Sequence, residues 1–498
     1  MSQTRRGFLK SVAVTAGAAA AAWPRWASAE ASAGDLPNVL VLHCDELSSW
    51  ALSCYAPRLT AVPNYGKVAV QTPHIDRLAA EGAMLTNFFT NSAVCTPSRG
   101  CLFTGRYPHS HGAYKNDIPM NCDEVTLARL LQSHGYETGY CGKWHLDGPP
   151  RPGFMKPERS MGFEDCRYMF NRGHWKDLKE TPGGDPIDPT SYAPIGDEKS
   201  FTTDYLATKT IDFVTRPRSK PFLYVVSWPD PHPPFTVREP YMSMYRPEDM
   251  PLPHTYSQDA AILPGEAEGG PPQVLKAPKK AAAKQQGGPD HVKVQKAHYV
   301  GLVKCIDDNV GRIVAALKQK GLYDRTVIVF TTDHGEYMAE HNLWGKNQWY
   351  RTAYQLPFIM RWPKRIRAGT VVDRFVTNVD VQQTLCGLIG AKPCGREQGR
   401  DASPLACGEK VEWEDVAWIH HSSLQGAGLF TSTYELVLKA DGQHMLFDRE
   451  KDPEQTRNLA GDSACRETMQ AMGRRIAAHH EQVASPAAQW LKGVVAQL

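Results

Sequence analysis

The chain has 498 residues, 42% of them hydrophobic and 22% charged, the make-up of a soluble globular protein long enough for a large core and two domains. Its formal net charge of +3 is close to balance, so nothing in the bulk electrostatics argues for nucleic acid as a partner, and any anionic ligand has to be recognised locally. The 12 cysteines show neither close zinc-type pairs nor the density of a small disulfide scaffold. Cys44, Cys141 and Cys305 are expected as buried thiols, and Cys386, Cys394 and Cys407 leave room for one disulfide of unassigned connectivity.

Arg5, Arg6, Gly7, Phe8, Leu9 and Lys10 resemble a twin-arginine export signal, followed by an alanine-rich stretch and a small-residue site at Ala27, Ser28 and Ala29. The apolar run is brief and broken by Pro24 and Arg25, which argues against a membrane anchor. Residues 1–29 are therefore expected to direct bacterial export by the twin-arginine machinery, giving a periplasmic or secreted chain that begins near Glu30. Asn38 to His43 is a short continuous apolar run, as for a strand buried on both faces of a parallel sheet, and Pro221 to Ser227 and Thr326 to Thr331 repeat the pattern. Helical segments are expected at Thr72 to Gly82 and at His298 to Gly321, the latter apolar at Val300, Val303, Ile306, Val310, Ile313, Val314 and Leu317. Ala260 to Asp290, rich in Pro, Gly, Ala and Lys, reads as a flexible surface insertion. Beyond Val376 a helix is followed by short strands, with Glu435 to Lys439 and His444 to Phe447 flanking an Asp441, Gly442 hairpin turn. The fold class is thus α/β: a large, mostly parallel sheet sandwiched by helices over residues 36–375, with a smaller C-terminal antiparallel-sheet domain over 376–498.

Ligands of such sheets gather beyond the carboxyl ends of the strands. Asp45, Glu46, Asp333 and His334 each follow one of the apolar runs. Asn91 to Arg106, NSAVCTPSRGCLFTGR, carries Cys95, Pro97, Ser98 and Arg99 and continues to Thr104, Gly105 and Arg106. This run resembles the signature of the type I, formylglycine-dependent sulfatases of the alkaline phosphatase-like superfamily, in which the cysteine is oxidised to an aldehyde. A hydrated aldehyde carries two hydroxyls on one carbon, one to attack sulfur and one to expel sulfate by carbon–oxygen cleavage. The resemblance implies a formylglycine-generating enzyme as a partner that reads Pro97 and Arg99, with Arg99 afterwards holding the hydrate.

The resemblance runs from Pro37 to about Gly461. It implies that Asp45, Glu46, Asp333 and His334 hold one divalent cation, Ca²⁺ first, with Mn²⁺ and Mg²⁺ as alternatives. Glu46 departs from the usual Asp-Asp or Asp-Gln pattern, so it either ligates directly or orients Asp45. Lys143 and His145, in GKWHL, match the lysine and histidine that flank the sulfate, the first neutralising charge and the second driving release. His232, in PDPHPPF, and Lys346, in LWGKN, match two further active-site positions, either of which could protonate the leaving alcohol. Asn116 is either a substrate contact or a loop cap. Gln348, Trp349 and Arg351 stand where pocket residues follow Lys346, although Arg351 replaces an acidic residue usual there. Gly345 and Lys346 are not a P-loop, since Asn347 follows and the upstream glycine spacing is wrong. The implied activity is hydrolysis of a sulfate ester borne by a small molecule or saccharide. Phosphonate or phosphate-ester hydrolysis at the same site, and non-catalytic binding of sulfated glycans, are the alternatives.

Overall fold

The computed structural model describes residues 36–58, 70–149, 153–191, 194–256 and 288–498. The expected export signal lies outside them, as does the expected insertion apart from residues 288–290. The strands of the large sheet are β1 (Asn38–Asp45), β2 (Ala83–Phe89), β3 (Glu137–Lys143), β4 (Met169–Phe170), β5 (Phe222–Pro231), β6 (Thr326–Thr332), β7 (Gln355–Arg361), β8 (Thr370–Val372) and β9 (Val376–Thr377). Their order is β8-β2-β7-β6-β1-β5-β3-β4, with β9 also pairing to β2. Every pairing is parallel except those of β7, which runs against both β2 and β6. The sheet is therefore mixed but mostly parallel.

β1 is central and buried along its whole length, paired to β5 on one side and β6 on the other. Its apolar run is continuous because both faces are covered. Leu40, Leu42, Tyr224, Val226, Ile328 and Phe330 point to one core. Val39, Val41, Leu223, Val225, Val327 and Val329 point to the other, as a period of two requires. The helices α1 (Pro73–Ala80), α2 (Cys95–Thr104), α3 (Leu127–Ser133), α4 (Thr202–Thr215), α5 (Gly288–Gln319) and α6 (Val381–Ile389) divide between the two faces. α1, α4 and α5 cover the first core, and α2, α3 and α6 cover the second. α5 starts at Gly288 rather than His298; its first turns carry the polar stretch around Lys293, which hides the helical period in the sequence.

A second sheet is antiparallel, in the order β10 (Ala417–His420), β11 (Gly426–Phe430), β12 (Tyr434–Lys439) and β13 (Met445–Asp448). The hairpin expected around Asp441 joins β12 to β13. α7 (Arg466–Gln482) and α8 (Ala488–Val495) cover one face through Met472, Ile476 and Leu491. The other face meets the large sheet through Phe89, Tyr354, Phe375, Phe430 and Phe447. The expected division at 375/376 falls between β8 and β9, both of which pair with β2, and the small sheet begins at Ala417.

Cys44, Cys141 and Cys305 are buried thiols as expected, and all 12 cysteines are free. The disulfide allowed among Cys386, Cys394 and Cys407 is not formed: Cys386 is buried in α6, whereas Cys394 is exposed in the loop beyond it.

Candidate active site

The site forms where the central strands end. Asp45 closes β1, Lys143 closes β3, His232 follows β5 and Asp333 follows β6. Three backbone features let these ends converge. Glu46 turns the chain at φ +66°, a conformation that L-residues rarely adopt. Gly142 has φ +94°, and a Cβ there would stand 2.0 Å from the carbonyl oxygen of Ser227, so only glycine lets β3 approach β5 just before Lys143. Gly105, at φ +64°, ends α2 in the left-handed region, which accounts for the Thr-Gly-Arg that closes the motif.

Cys95 is the first residue of α2, and its side chain is buried at that helix N-terminus. Its Sγ lies 3.1 Å from Nε2 of His334 and 3.7 Å from Nζ of Lys143. Lys143 also donates to Oδ2 of Asp45. One turn along α2, Arg99 donates from Nε to Oδ2 of Asp333 at 2.9 Å. Its Nη1 donates to the Lys143 carbonyl at 2.6 Å and to Oγ of Ser227 at 2.8 Å. One ligand atom from each of Asp45, Cys95, Asp333 and His334 lies within 4.8 Å of the others, and all four residues are buried. Oδ1 of Asp45 has no hydrogen-bond partner among the described residues. It stands 3.8 Å from Nη2 of Arg99 and 3.9 Å from Nε2 of His334.

A second group adjoins the first. Oε2 of Glu46 accepts from Nζ of Lys346 at 2.8 Å and lies 3.1 Å from Nε2 of His232. His174, which the sequence did not single out, stacks on His232 with ring centroids 3.7 Å apart. Its Nδ1 lies 3.9 Å from Oδ2 of Asp45, so Asp45, His174 and His232 converge as well. Beneath them Lys176 and Asp230 form a buried ion pair, also unannounced by the sequence.

His145 sits at φ +60°. Its carbonyl accepts from Oγ1 of Thr96 at 2.8 Å, which holds it beside the start of α2. Neither ring nitrogen has a hydrogen-bond partner among the described residues, and Asp117 stands 4.0 Å from Nε2. Asn116 uses Oδ1 to accept the Thr96 N–H at 3.1 Å, in the first turn of α2. Arg351 turns away and pairs with Glu435, while Trp349 stacks on His421.

Burial governs the electrostatics. It pushes the Cys95 thiol up to about 12, despite the opposing charges of Lys143 and Lys346. It raises Glu46 to about 8 against the pull of Lys346. It also raises Asp45, but Lys143, His232 and Arg99 outweigh it and hold that carboxyl well below its usual range. Burial, then Lys143 and Arg99, keeps the His145 imidazole neutral. Two cations and two carboxylates with no access to water cost desolvation energy that a hydrophobic filling would avoid. Such sets persist where charge is needed for chemistry.

The sulfatase family model matches residues 37–391. This chain belongs to the sulfatase family. A second model, the C-terminal region of N-sulphoglucosamine sulphohydrolase, matches residues 339–482. The N-acetylglucosamine-6-O-sulfatase of Bacteroides thetaiotaomicron is 25% identical, covering 85% of this chain and 83% of the relative. A structure solved with D-glucosamine-2-N,6-O-disulfate superposes with TM-score 0.72 at 22% identity, over 90% of this sulfatase and 98% of that chain. The phosphonate monoester hydrolase of Agrobacterium radiobacter reaches TM-score 0.71 at 23% identity, over 90% and 96%; at these identities the two structures share the fold. The sulfatase is a sulfuric ester hydrolase.

Proposed function

We propose that this sulfatase hydrolyses the sulfate ester of a sulfated saccharide, using a formylglycine made from Cys95 by a formylglycine-generating enzyme and one divalent cation. The observation that carries this reading is the buried convergence of Asp45, Cys95, Asp333 and His334. The saccharide assignment is supported by the relative named above as an N-acetylglucosamine-6-O-sulfatase.

The residues fit a cation. Asp45 keeps one buried carboxylate oxygen unpartnered, and two carboxylates with one imidazole make a donor set dominated by hard oxygen, suited to Ca²⁺ before Mn²⁺ or Mg²⁺. Asp45, Asp333 and His334 would hold it, and it would polarise the sulfate oxygens. Glu46 has its Oε2 committed to Lys346 and His232 while its Oε1 is buried without a hydrogen-bond partner among the described residues, so it either ligates through Oε1 or orients Asp45. The aldehyde hydrate at position 95 supplies the attacking hydroxyl and the hydroxyl that later expels sulfate.

The remaining work falls to side chains already in place. Lys143, 3.7 Å from Sγ of Cys95, brings its charge to the transferring group, and the N-terminus of α2 adds its partial positive charge at the same point. Arg99 braces Asp333 and the end of β3, and its free Nη2 is available to the hydrate. His145, neutral and with open ring nitrogens, takes the proton whose removal triggers sulfate release. His232 and Lys346 face each other across Glu46, and one of the two protonates the departing alcohol. Asn116 fixes the start of α2 and, through it, the position of residue 95. The chain is exported to the periplasm or beyond through the signal at residues 1–29, after modification in the cytoplasm.

Two measurements test this together. Mass spectrometry of the tryptic peptide containing Cys95 should show the thiol replaced by an aldehyde or its hydrate. A product-release screen should then favour sulfated saccharides over aryl sulfates and phosphonate esters. Unmodified Cys95 in a fully active preparation would sink the mechanism, and preferential cleavage of phosphonate esters would sink the substrate assignment.

A further inference from the structure

Away from the catalytic centre, four imidazoles meet where the C-terminal lobe rests on the rest of the chain. His109 lies in the short helical turn Pro108–His111 that follows α2. His420 ends β10, and His479 and His480 stand in the last turn of α7. His420, His479 and His480 are buried. Nε2 of His420 is 3.3 Å from Nε2 of His479. From the His420 ring, the ring of His480 is 4.4 Å away and that of His109 5.5 Å, centroid to centroid.

A hydrogen bond between two neutral imidazoles would explain the His420–His479 pair, but not the rest. Both ring nitrogens of His480 and Nδ1 of His109 lack a hydrogen-bond partner among the described residues. Nε2 of His109 lies 2.9 Å from the Val483 carbonyl, so that nitrogen donates and Nδ1 carries the lone pair. This is how a metal-binding histidine is usually oriented, one nitrogen anchored to a carbonyl and the other free. Buried polar atoms left without partners call for an explanation such as a bound ion. One pair already has the spacing for an ion: two nitrogens each about 2.0–2.1 Å from a tetrahedral zinc lie about 3.3 Å apart, the separation of His420 and His479, whereas no third imidazole nitrogen of the seam stands within 4.8 Å of both. Burial, with the rings' mutual repulsion, favours the neutral, ligating form of His420 and His479. The cations beside the cluster are already engaged, Arg400 with Asp380 at 3.2 Å and Arg106 with Glu124 at 3.7 Å.

We propose that this histidine seam binds one borderline transition-metal ion of the zinc class, with His420 and His479 as two ligands and His109 and His480 turning in to complete the set. An all-nitrogen donor set disfavours Ca²⁺ and Mg²⁺, so the seam and the oxygen-rich catalytic centre select different ions. The ligands come from the turn behind α2, from β10 and from α7. The ion therefore ties the C-terminal lobe to the segment that positions Cys95.

Cobalt(II) provides the spectroscopic stand-in. Titrated into the full-length, calcium-saturated protein, it should bind at one equivalent with intense visible bands of a four-coordinate nitrogen site. One equivalent of zinc should displace it, and zinc should raise Tm. The bands should survive in Asp333→Ala, which lacks a catalytic ligand, and vanish in His420→Gln/His479→Gln. Should that double variant fail to fold, electron paramagnetic resonance of the wild-type copper(II) form substitutes, and nitrogen couplings from at least two imidazoles are expected. No visible bands at millimolar cobalt, or bands lost in Asp333→Ala but retained in the histidine variant, would overturn the proposal.

Discussion

The two halves of the active site are built differently. Asp45, Lys143 and Asp333 stand at the ends of strands, and Cys95 and Arg99 lie on one helix, so this half is fixed by the sheet and by α2. Glu46, His232 and Lys346 lie on the connections beyond β1, β5 and β6, with Lys346 and His232 both held to the Glu46 carboxylate and His174 stacked on His232. In the roles proposed above, the first half handles the sulfate, which is the same whatever the alcohol, and the second handles the leaving group, which differs between substrates. Placing the first on strands and the second on loops would let one vary without disturbing the other.

The largest test of this division is Asp333→Ala. It removes a carboxylate from the cation and unpairs Arg99 in a closed interior, so activity should fall by about 10³-fold or more, with the metal lost. Elemental analysis beside the rate measurement decides the point, and retained metal would place the cation elsewhere. Lys143→Ala should lower kcat/KM by about 10²-fold to 10³-fold, because charge on the transferring group goes unmatched at the attack step. His145→Ala should spare that step. With a good leaving group it should give a burst of alcohol and then slow turnover, visible by rapid mixing; a slow rate with no burst would show that His145 serves the attack instead. Glu46→Gln should do least, about 10-fold in kcat with poor leaving groups and little with good ones, at unchanged metal content. Loss of metal in that variant would move Glu46 into the strand-built half.

What could be read beforehand follows the same division. The central strands announced themselves because both faces are buried, and the motif around Cys95 marked Cys95 and Arg99, though not the helix α2 that carries them. His174 left no signal: one histidine in Gly-His-Trp has no spacing partner, and its place depends on stacking with a residue far along the chain. Lys176 and Asp230 were hidden for the same reason, since only the tertiary structure joins them. Arg351 looked anomalous in the sequence because it replaces an acidic residue usual at that place. Its side chain answers to Glu435 in the second sheet, a partner that sequence distance conceals.

Cys95 has 1% of its surface exposed, in a helix that docks against the end of the sheet. An enzyme that must handle this side chain cannot reach it once α2 has settled. On the mechanism proposed above, folding then sets a deadline: each molecule has only the interval between synthesis and collapse in which to be oxidised, and one that folds first would stay inert for its lifetime. The active fraction of a preparation is then a record of a race, and slowing folding without harming the native state should raise it.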